Sequence, residues 1–168
     1  MIIYTDGACS GNGSANAVGG FGVIVLDDNE NLITTHREQV QNTTNNRMEL
    51  SAILWAMIKY GKEKPAPTVY SDSAYCVNTL TSWMYGWAKR GWVKSDNREP
   101  ENLDLIQAFY KLYEQGYKID LRKCRGHAGD HWNEQVDKLA VAAKEGANEI
   151  IIKTLRKLTP GIGQECKR

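Results

Sequence analysis

The order of extended and helical segments constrains the fold of this chain more than any other feature. Three β-rich stretches open the sequence, MIIYTDGA, GGFGVIVLDD and NLITTHREQVQ, and only short turns separate them. Short turns join antiparallel neighbours, so this opening predicts an antiparallel meander. Farther along, helical patterns alternate with two short extended segments, which is typical of parallel strands with helical crossovers. The pattern therefore predicts an α/β fold with one mixed sheet and helices on its faces.

Four segments carry the apolar spacing of helices. In the first, from Asn46 to Gly61, apolar residues recur near helical spacing and Gly61 supplies the stop. The second, AYCVNTLTSWMYGWAKRG, is expected to break near Gly86. The third and fourth are LDLIQAFYKLYEQG and HWNEQVDKLAVAAKEGA, and the extended segments are PTVYSDS and YKIDLRKCRG. No internal repeat appears, so the pattern indicates one domain.

Length and composition narrow the possible functions. The chain has 168 residues, 42% hydrophobic and 24% charged, as in an ordinary soluble single-domain protein. Its net charge is only +1, so a polyanion would have to bind a local patch. No apolar run approaches the ~20 residues of a membrane helix and no secretory signal opens the chain, so we expect a cytoplasmic protein. The four cysteines lack zinc-ligand spacing, and we expect free thiols.

Three acidic residues occupy similar places in this pattern. Asp6 and Asp72 each follow a β-rich run, and Glu49 falls in what we predict to be the first turn of a helix. If the two strands are neighbours, their ends lie about 5 Å apart, and the helix can bring Glu49 to the same edge. Clustered carboxylates repel one another unless a cation neutralises them, which favours a hard divalent metal such as Mg²⁺. Each acid alone also has an ordinary explanation as a turn residue, a helix N-cap or a charge at a helix N-terminus.

Two residues near the C-terminal helix could also take part in chemistry. Asp137 belongs to the last predicted helix, and His127 lies in the preceding loop between two glycines. A histidine with a pKa near ~6.5 can accept and donate a proton at neutral pH, and flanking glycines favour access to solvent. A loop histidine without a chemical role is the alternative explanation.

The stretch WMYGWAKRGWVK combines tryptophans with cations and contains no acid. Such interleaving suits nucleic acid because aromatic rings stack on bases or sugars while cations contact phosphates. Core tryptophans beside a solvated basic face are the alternative for a helix taken in isolation. Gly86 and Gly91, together with the polar loop that follows, favour a protruding element.

Together these stretches closely resemble the bacterial type 1 ribonuclease H family. The matching pieces run in family order from the first residues to about Ala143: YTDGACSGN, GGFGVIV, TTNNRMELSAI, YSDSAYCVN, WAKRGW, NLDLI and RGHAGDHWNEQVDKLA. The resemblance implies the ribonuclease H-like mixed five-stranded sheet, with three antiparallel strands then two parallel strands, flanked by helices and carrying a basic helical handle. It assigns residues 1–147 to the catalytic domain. Residues 148–168 carry no family motif, and their proline, glycines and basic end predict a C-terminal extension that is partly a flexible tail.

The resemblance also implies the reaction and the metal ligands. It implies an endonuclease that cuts the RNA strand of RNA/DNA hybrids and leaves 5′-phosphate and 3′-hydroxyl ends. Four carboxylates would hold two Mg²⁺ ions, for which Mn²⁺ could substitute: Asp6, Glu49, Asp72 and Asp137. Asp6 would bridge both ions, Asp137 would help to hold the ion that activates water, and the other two would hold the ion beside the leaving oxygen. His127 would assist proton transfer or product release.

Substrate contacts follow from the resemblance as well. Residues facing the minor groove, where 2′-hydroxyls distinguish RNA from DNA, would be Cys9, Asn12, Asn45 and Asn46. Thr44 would fix a phosphate of the DNA strand. The handle would grip the DNA strand through Trp83, Trp87, Lys89, Arg90 and Lys94. The partner is then an RNA/DNA hybrid, without membrane contact, and the family implies a monomer; a non-catalytic hybrid-binding module and a resolvase- or integrase-like nuclease are the alternatives.

Three features depart from the family pattern. The loop SGNGSANAVGG is longer and lacks a proline, so we expect it to shift Asn12 or its neighbours. Ala74 stands where relatives often carry glutamine, which removes one RNA contact. Asp130 stands where a small or basic residue is usual, and we expect it to influence metal affinity or His127. Arg47 has no assigned role.

Overall fold

Five strands form one mixed sheet in the computed structural model, which describes residues 1–12, 14–124 and 130–146. The first three strands are β1 (Ile2–Ser10), β2 (Val18–Leu26) and β3 (Leu32–Gln41), and they pair antiparallel as a meander. On the other side of β1, β4 (Thr68–Ser71) and β5 (Asp120–Lys123) pair in parallel. The order β3-β2-β1-β4-β5 confirms the predicted mixed sheet.

Helices connect the strands and cover the sheet. Their bounds are α1 (Asn45–Tyr60), α2 (Ala74–Asn78), α3 (Met84–Lys89), α4 (Leu103–Glu114) and α5 (His131–Lys144). A π-helical turn, Thr79–Trp83, joins α2 to α3. Helix α1 connects β3 to β4, and the helices between β4 and β5 supply the long crossover that neighbouring parallel strands need.

The sheet is apolar on both faces because successive side chains of each strand point to opposite sides. Ile3 and Val23 lie in the core cluster that packs against α1. Tyr4 and Ile24, their neighbours along the strands, lie in the cluster that packs against α5. A third cluster joins α1 to α2, α3 and α4. Met48, near the start of α1, is 2% exposed in the first cluster.

Two glycines let helices approach the sheet closely. A Cβ atom on Gly7 of β1 would lie 2.5 Å from the backbone nitrogen of Glu49. A Cβ atom on Gly20 of β2 would lie 2.2 Å from the backbone nitrogen of Lys144. Both distances are below the 3.0 Å that real Cβ atoms respect, so only glycine permits this packing. Gly7 therefore fixes how close α1 can come to β1, and Gly20 does the same for α5 and β2.

The second predicted helix differs from the expectation. It does not break at Gly86, which lies inside α3; the irregularity comes earlier, as the π turn. Met84 is fully buried in the third cluster, so tertiary packing overrides the low helix propensity of the nearby glycine. The helix ends before Gly91 and Trp92, which both adopt positive φ, at 72° and 65°.

Some predicted features lie outside the described residues, namely His127 and the C-terminal extension 148–168. Within the described part of the chain, Cys9, Cys76 and Cys124 are not joined in a disulfide. None of the helices in the described part of the chain is both long enough and apolar enough to cross a lipid bilayer.

Candidate active site

Strand register places two of the predicted acids side by side. β1 and β4 are parallel neighbours, and Thr5 of β1 is paired with Ser71 of β4. The next residue of each, Asp6 and Asp72, therefore stands at the same level of the sheet. Asp6 is 3% exposed within β1, whereas Asp72 is exposed just beyond the end of β4. One carboxyl group thus lies in the sheet and one at its solvent edge.

Helix α1 brings Glu49 to the same place. The side chain of Thr44 caps the helix by accepting a hydrogen bond from the backbone N–H of Arg47, so α1 begins at Asn45. Glu49 therefore lies in the second turn, and the predicted first-turn position was wrong by one residue. Its side chain is buried, and the close contact at Gly7 holds its backbone against β1.

The three acids converge on one point. One carboxylate oxygen from each of Asp6, Glu49 and Asp72 lies within 4.8 Å of the other two. Burial, followed by repulsion from Glu49, raises the pKa of Asp6 well above its ordinary value. Burial also raises the pKa of Glu49, to about 7. Partial desolvation, followed by the charge of Asp137, raises the pKa of Asp72. Without a neutralising cation, the cluster resists full ionisation.

The donor set of this cluster fits a hard divalent cation. Three carboxylates supply the oxygen ligands that Mg²⁺ prefers. The buried Oε2 atom of Glu49 has no hydrogen-bond partner in the described part of the chain, and a cation would satisfy it. A cation would also offset the repulsion among the acids. These residues could therefore hold a metal ion.

Asp137 approaches the cluster from α5, on the opposite face of the sheet from α1. It is exposed, and its proximity contributes to the raised pKa of both Asp6 and Asp72. It does not belong to the group of oxygens within 4.8 Å of one another, so it lies at the border of the site. The structure thus brings all four predicted carboxylates together, three closely and one at the edge.

The predicted minor-groove and phosphate contacts also lie together, at the end of β1 and the start of α1: Cys9, Asn12, Thr44, Asn45 and Asn46. The Oδ1 atom of Asn12 accepts a hydrogen bond from the backbone N–H of Asn45 at 2.9 Å. The thiol of Cys9 donates to the backbone carbonyl of Thr43 at 3.6 Å. These contacts tie β1 to α1, and the longer first loop still brings Asn12 to the helix start.

The predicted handle residues occupy the π turn, α3 and the loop after it. Trp83 is 47% exposed, and its ring centroid lies 6.3 Å from that of Trp87. Trp87 is half-buried against the third core cluster. Lys89 and Arg90 are exposed and Lys94 is half-buried. One tryptophan is therefore available at the surface and the other packs in part against the core.

Two residues whose roles the sequence left open have clear partners. Arg47 donates two hydrogen bonds to the carboxylate of Asp104, at 2.9 and 2.7 Å. Asp130 caps α5 by accepting from the backbone N–H of Asn133, and its other oxygen accepts from the thiol of Cys124 at 2.9 Å. No sequence spacing signals the Arg47 pair, because 57 positions separate the two residues. An aspartate directly before a helical pattern is, by contrast, a recognisable cap.

Comparison with known proteins identifies the family of this chain. The RNase H family model matches residues 1–145. The chain belongs to the ribonuclease H family. Ribonuclease H of Maricaulis maris is 40% identical over 153 residues, which cover 89% of this chain and 94% of that protein. Ribonuclease H of Rickettsia typhi is 38% identical over 151 residues, covering 90% of this chain and 95% of that protein.

Solved structures of ribonucleases H share the fold. LC9-RNase H1, a type 1 RNase H with the type 2 active-site motif, is 32% identical with a TM-score of 0.71 and covers 88% of this chain and 72% of its own. LC11-RNase H1, solved in complex with RNA/DNA hybrid, has a TM-score of 0.62 at 22% identity. The match covers 86% of this chain and 96% of that chain, and it supports the shared fold alone. Membership of the ribonuclease H family confirms the prediction of a type 1 nuclease and favours an enzyme over a non-catalytic binding module.

Proposed function

We propose that this ribonuclease H family member hydrolyses the RNA strand of RNA/DNA hybrids with two Mg²⁺ ions, leaving 5′-phosphate and 3′-hydroxyl ends. The observation that carries the proposal is the convergence of Asp6, Glu49 and Asp72 within 4.8 Å, with a buried Glu49 oxygen that has no hydrogen-bond partner among the described residues. Such a cluster destabilises the metal-free protein, so it is explained by an ion that binds there. Family membership supplies the reaction class.

The four carboxylates are the proposed metal ligands. Asp6, Glu49 and Asp72 would hold Mg²⁺, with Mn²⁺ as a substitute, and Asp137 would contribute from the border of the site. When bound, the ions supply charge stabilisation for the attacking and leaving oxygens of the phosphodiester. The backbone of Asp6 lies in a strand that is paired on both sides up to Thr5, whereas Asp72 is exposed to solvent. His127 is proposed to move a proton or assist product release.

Substrate recognition is proposed to use the surface formed by the end of β1 and the start of α1. The Oδ1 atom of Asn12 is engaged by the backbone of Asn45, which leaves the amide Nδ2 group of Asn12 to donate to a 2′-hydroxyl. Thr44 is proposed to contact a DNA phosphate beside the N-terminus of α1, where the positive end of the helix dipole favours an anion. The handle is proposed to bind the DNA strand through the exposed Trp83 and the cations that follow it.

A cleavage assay with three substrates tests the proposal. The full chain is incubated with end-labelled RNA/DNA hybrid, double-stranded RNA and double-stranded DNA, each with Mg²⁺, Mn²⁺ or EDTA. We expect cleavage of the RNA strand of the hybrid alone, with Mg²⁺ or Mn²⁺, and products that a polymerase can extend from their 3′-hydroxyl. Tight binding of hybrid without cleavage would instead indicate a binding module.

The variant Asp6→Asn tests the metal site, with Asp28→Asn, at an exposed turn residue, as the matched control. We expect Asp6→Asn to abolish turnover while hybrid binding persists, and the control to cleave normally. Substantial residual cleavage by Asp6→Asn would refute the assignment. We further propose that residues 1–147 form the catalytic domain and act as a monomer.

A further inference from the structure

Glu49 on α1 and Asp72, in the bend before α2, are connected through a third element that is not part of the site. Glu49 lies on α1 two residues after Arg47. Asp72 directly precedes Ser73, the cap of α2, whose hydroxyl accepts from the backbone N–H of Cys76. Each of these helix starts has one side chain that reaches the segment leading into α4.

On the α1 side, the connection is a two-pronged ion pair. Both terminal nitrogens of Arg47 donate to Asp104, one to each carboxylate oxygen, at 2.9 and 2.7 Å. Asp104 lies in the first turn of α4, where a negative charge is favourable. A bidentate pair of this kind fixes both distance and orientation.

On the α2 side, the connection is a hydrogen-bonded tyrosine. The Nδ2 group of Asn102 donates to the hydroxyl of Tyr75 at 3.0 Å, and that hydroxyl donates to the backbone carbonyl of Glu101 at 3.4 Å. Asn102 adopts a left-handed conformation, with φ of 59°, and its carbonyl accepts from the N–H groups of Leu105 and Ile106. Its side chain and its backbone together join α4 to α2.

Residues 101–104 therefore form a bracket between the starts of α1 and α2. The bracket opposes a force that the site itself generates, because the carboxylates on these two elements repel one another within 4.8 Å. A cation binds best to ligands that are already in place, since ordering them on binding costs affinity. The bracket lies outside the metal ligands and acts on their backbones.

We propose that Asn102 and Asp104 are positioning residues, which hold Tyr75 and Arg47 so that Asp72 and Glu49 are preorganised for Mg²⁺. The inference rests on the proposed function and deepens it. In this arrangement Arg47 serves the metal site rather than the substrate, which explains an arginine two residues before a ligand.

Mg²⁺ titration tests the positioning role. The variants are Asp104→Ala, Tyr75→Phe and the two combined, in the full chain, and Mg²⁺ affinity is measured by calorimetry without substrate. We expect the combined variant to bind Mg²⁺ about 10-fold more weakly, the usual scale for loss of partners outside the ligand shell. At saturating Mg²⁺, kcat on hybrid should return to the unsubstituted value. Because bound Mg²⁺ also stabilises the folded state, the Tm of each variant in EDTA is measured separately to detect a folding defect.

Controls separate this role from general stability. Asp120→Ala removes a comparably exposed ion pair, with Arg122 at 2.6 Å on β5, and should leave Mg²⁺ affinity unchanged. Asp104→Glu should recover most of the lost affinity. If Asp104→Ala fails to fold, Tyr75→Phe, which removes a single hydroxyl, still tests the inference. Unchanged Mg²⁺ affinity in the folded variants would overturn the bracket alone; no Mg²⁺ binding by the unsubstituted protein would overturn the proposed function together with it.

Discussion

Replacing Asp6 by asparagine should stabilise the metal-free protein even though it abolishes cleavage. The carboxylates of Asp6 and Glu49 are both buried, and their oxygens lie within 4.8 Å. At an effective dielectric constant of about 20, two unit charges at that distance repel by about 3.5 kcal/mol. The protein avoids this repulsion only by keeping a proton, which itself becomes costly as the pH rises. Asparagine has nearly the same size as aspartate, and it is subject neither to the charge repulsion nor to the cost of keeping a proton.

The stabilisation should depend on pH. Burial and Glu49 raise the pKa of Asp6 above its ordinary 3.8, so the folded protein holds a proton that the unfolded chain releases. The stability linked to this proton is complete below the ordinary pKa of 3.8 and is lost progressively as the pH rises toward the raised pKa of Asp6, about 11. The advantage of Asp6→Asn should therefore be small at pH 4 and reach about 3 kcal/mol at pH 8. In a domain of this size, that corresponds to a rise in Tm of roughly 6–12 °C.

Thermal unfolding followed by circular dichroism measures this difference. Both proteins are heated in EDTA at pH 4, 6 and 8, and again at pH 8 with Mg²⁺, which should raise the Tm of the unsubstituted protein and leave that of the variant nearly unchanged. Asp28→Asn serves as the control. It loses only an exposed ion pair with the N-terminal amino group, worth about 0–1 kcal/mol, and should shift Tm little at any pH. The reasoning is refuted if Asp6→Asn is no more stable than the unsubstituted protein at pH 8 in EDTA, or if its advantage is equally large at pH 4.

Three other changes probe the handle, the packing of α1 and the start of α5. The handle cations Lys89, Arg90 and Lys94 are replaced together by alanine. This variant should have a higher KM for hybrid, and the slope of log KM against log salt should fall by up to about 2–3. An unchanged slope would exclude phosphate contacts by these three residues. Gly7→Ala should cost about 1–3 kcal/mol and lower kcat, because its Cβ would lie 2.5 Å from the backbone of Glu49; Gly86→Ala, whose nearest neighbour would be 3.8 Å away, should be neutral or stabilising in the same denaturant titration. Asp130→Ala removes the cap of α5 and should cost about 1 kcal/mol, measured by urea unfolding, whereas Asp130→Asn should retain most of it.

Local sequence patterns predicted the helices and strands. The predictions were wrong where contacts between residues far apart in the chain determine the local structure. The meander and the helix after TTNN follow from turn chemistry and apolar spacing, which act over a few residues. The break expected at Gly86 is absent because Met84 and Leu80 are packed in a core built from α1 and α4. Glu49 stands in the second turn because Thr44, rather than a later residue, caps the helix.

For the candidate site, the sequence by itself determined which residue types were available and, through family motifs, which acids to consider. It could not determine their distances. Only the tertiary structure decided that parallel pairing of β1 with β4 sets Asp6 beside Asp72, and that Gly7 lets α1 bring Glu49 within 4.8 Å of both. The pairing of Arg47 with Asp104 was likewise decided only by the tertiary structure. Contacts between residues far apart in the chain leave no periodic trace in sequence, because their geometry depends on how the intervening elements pack.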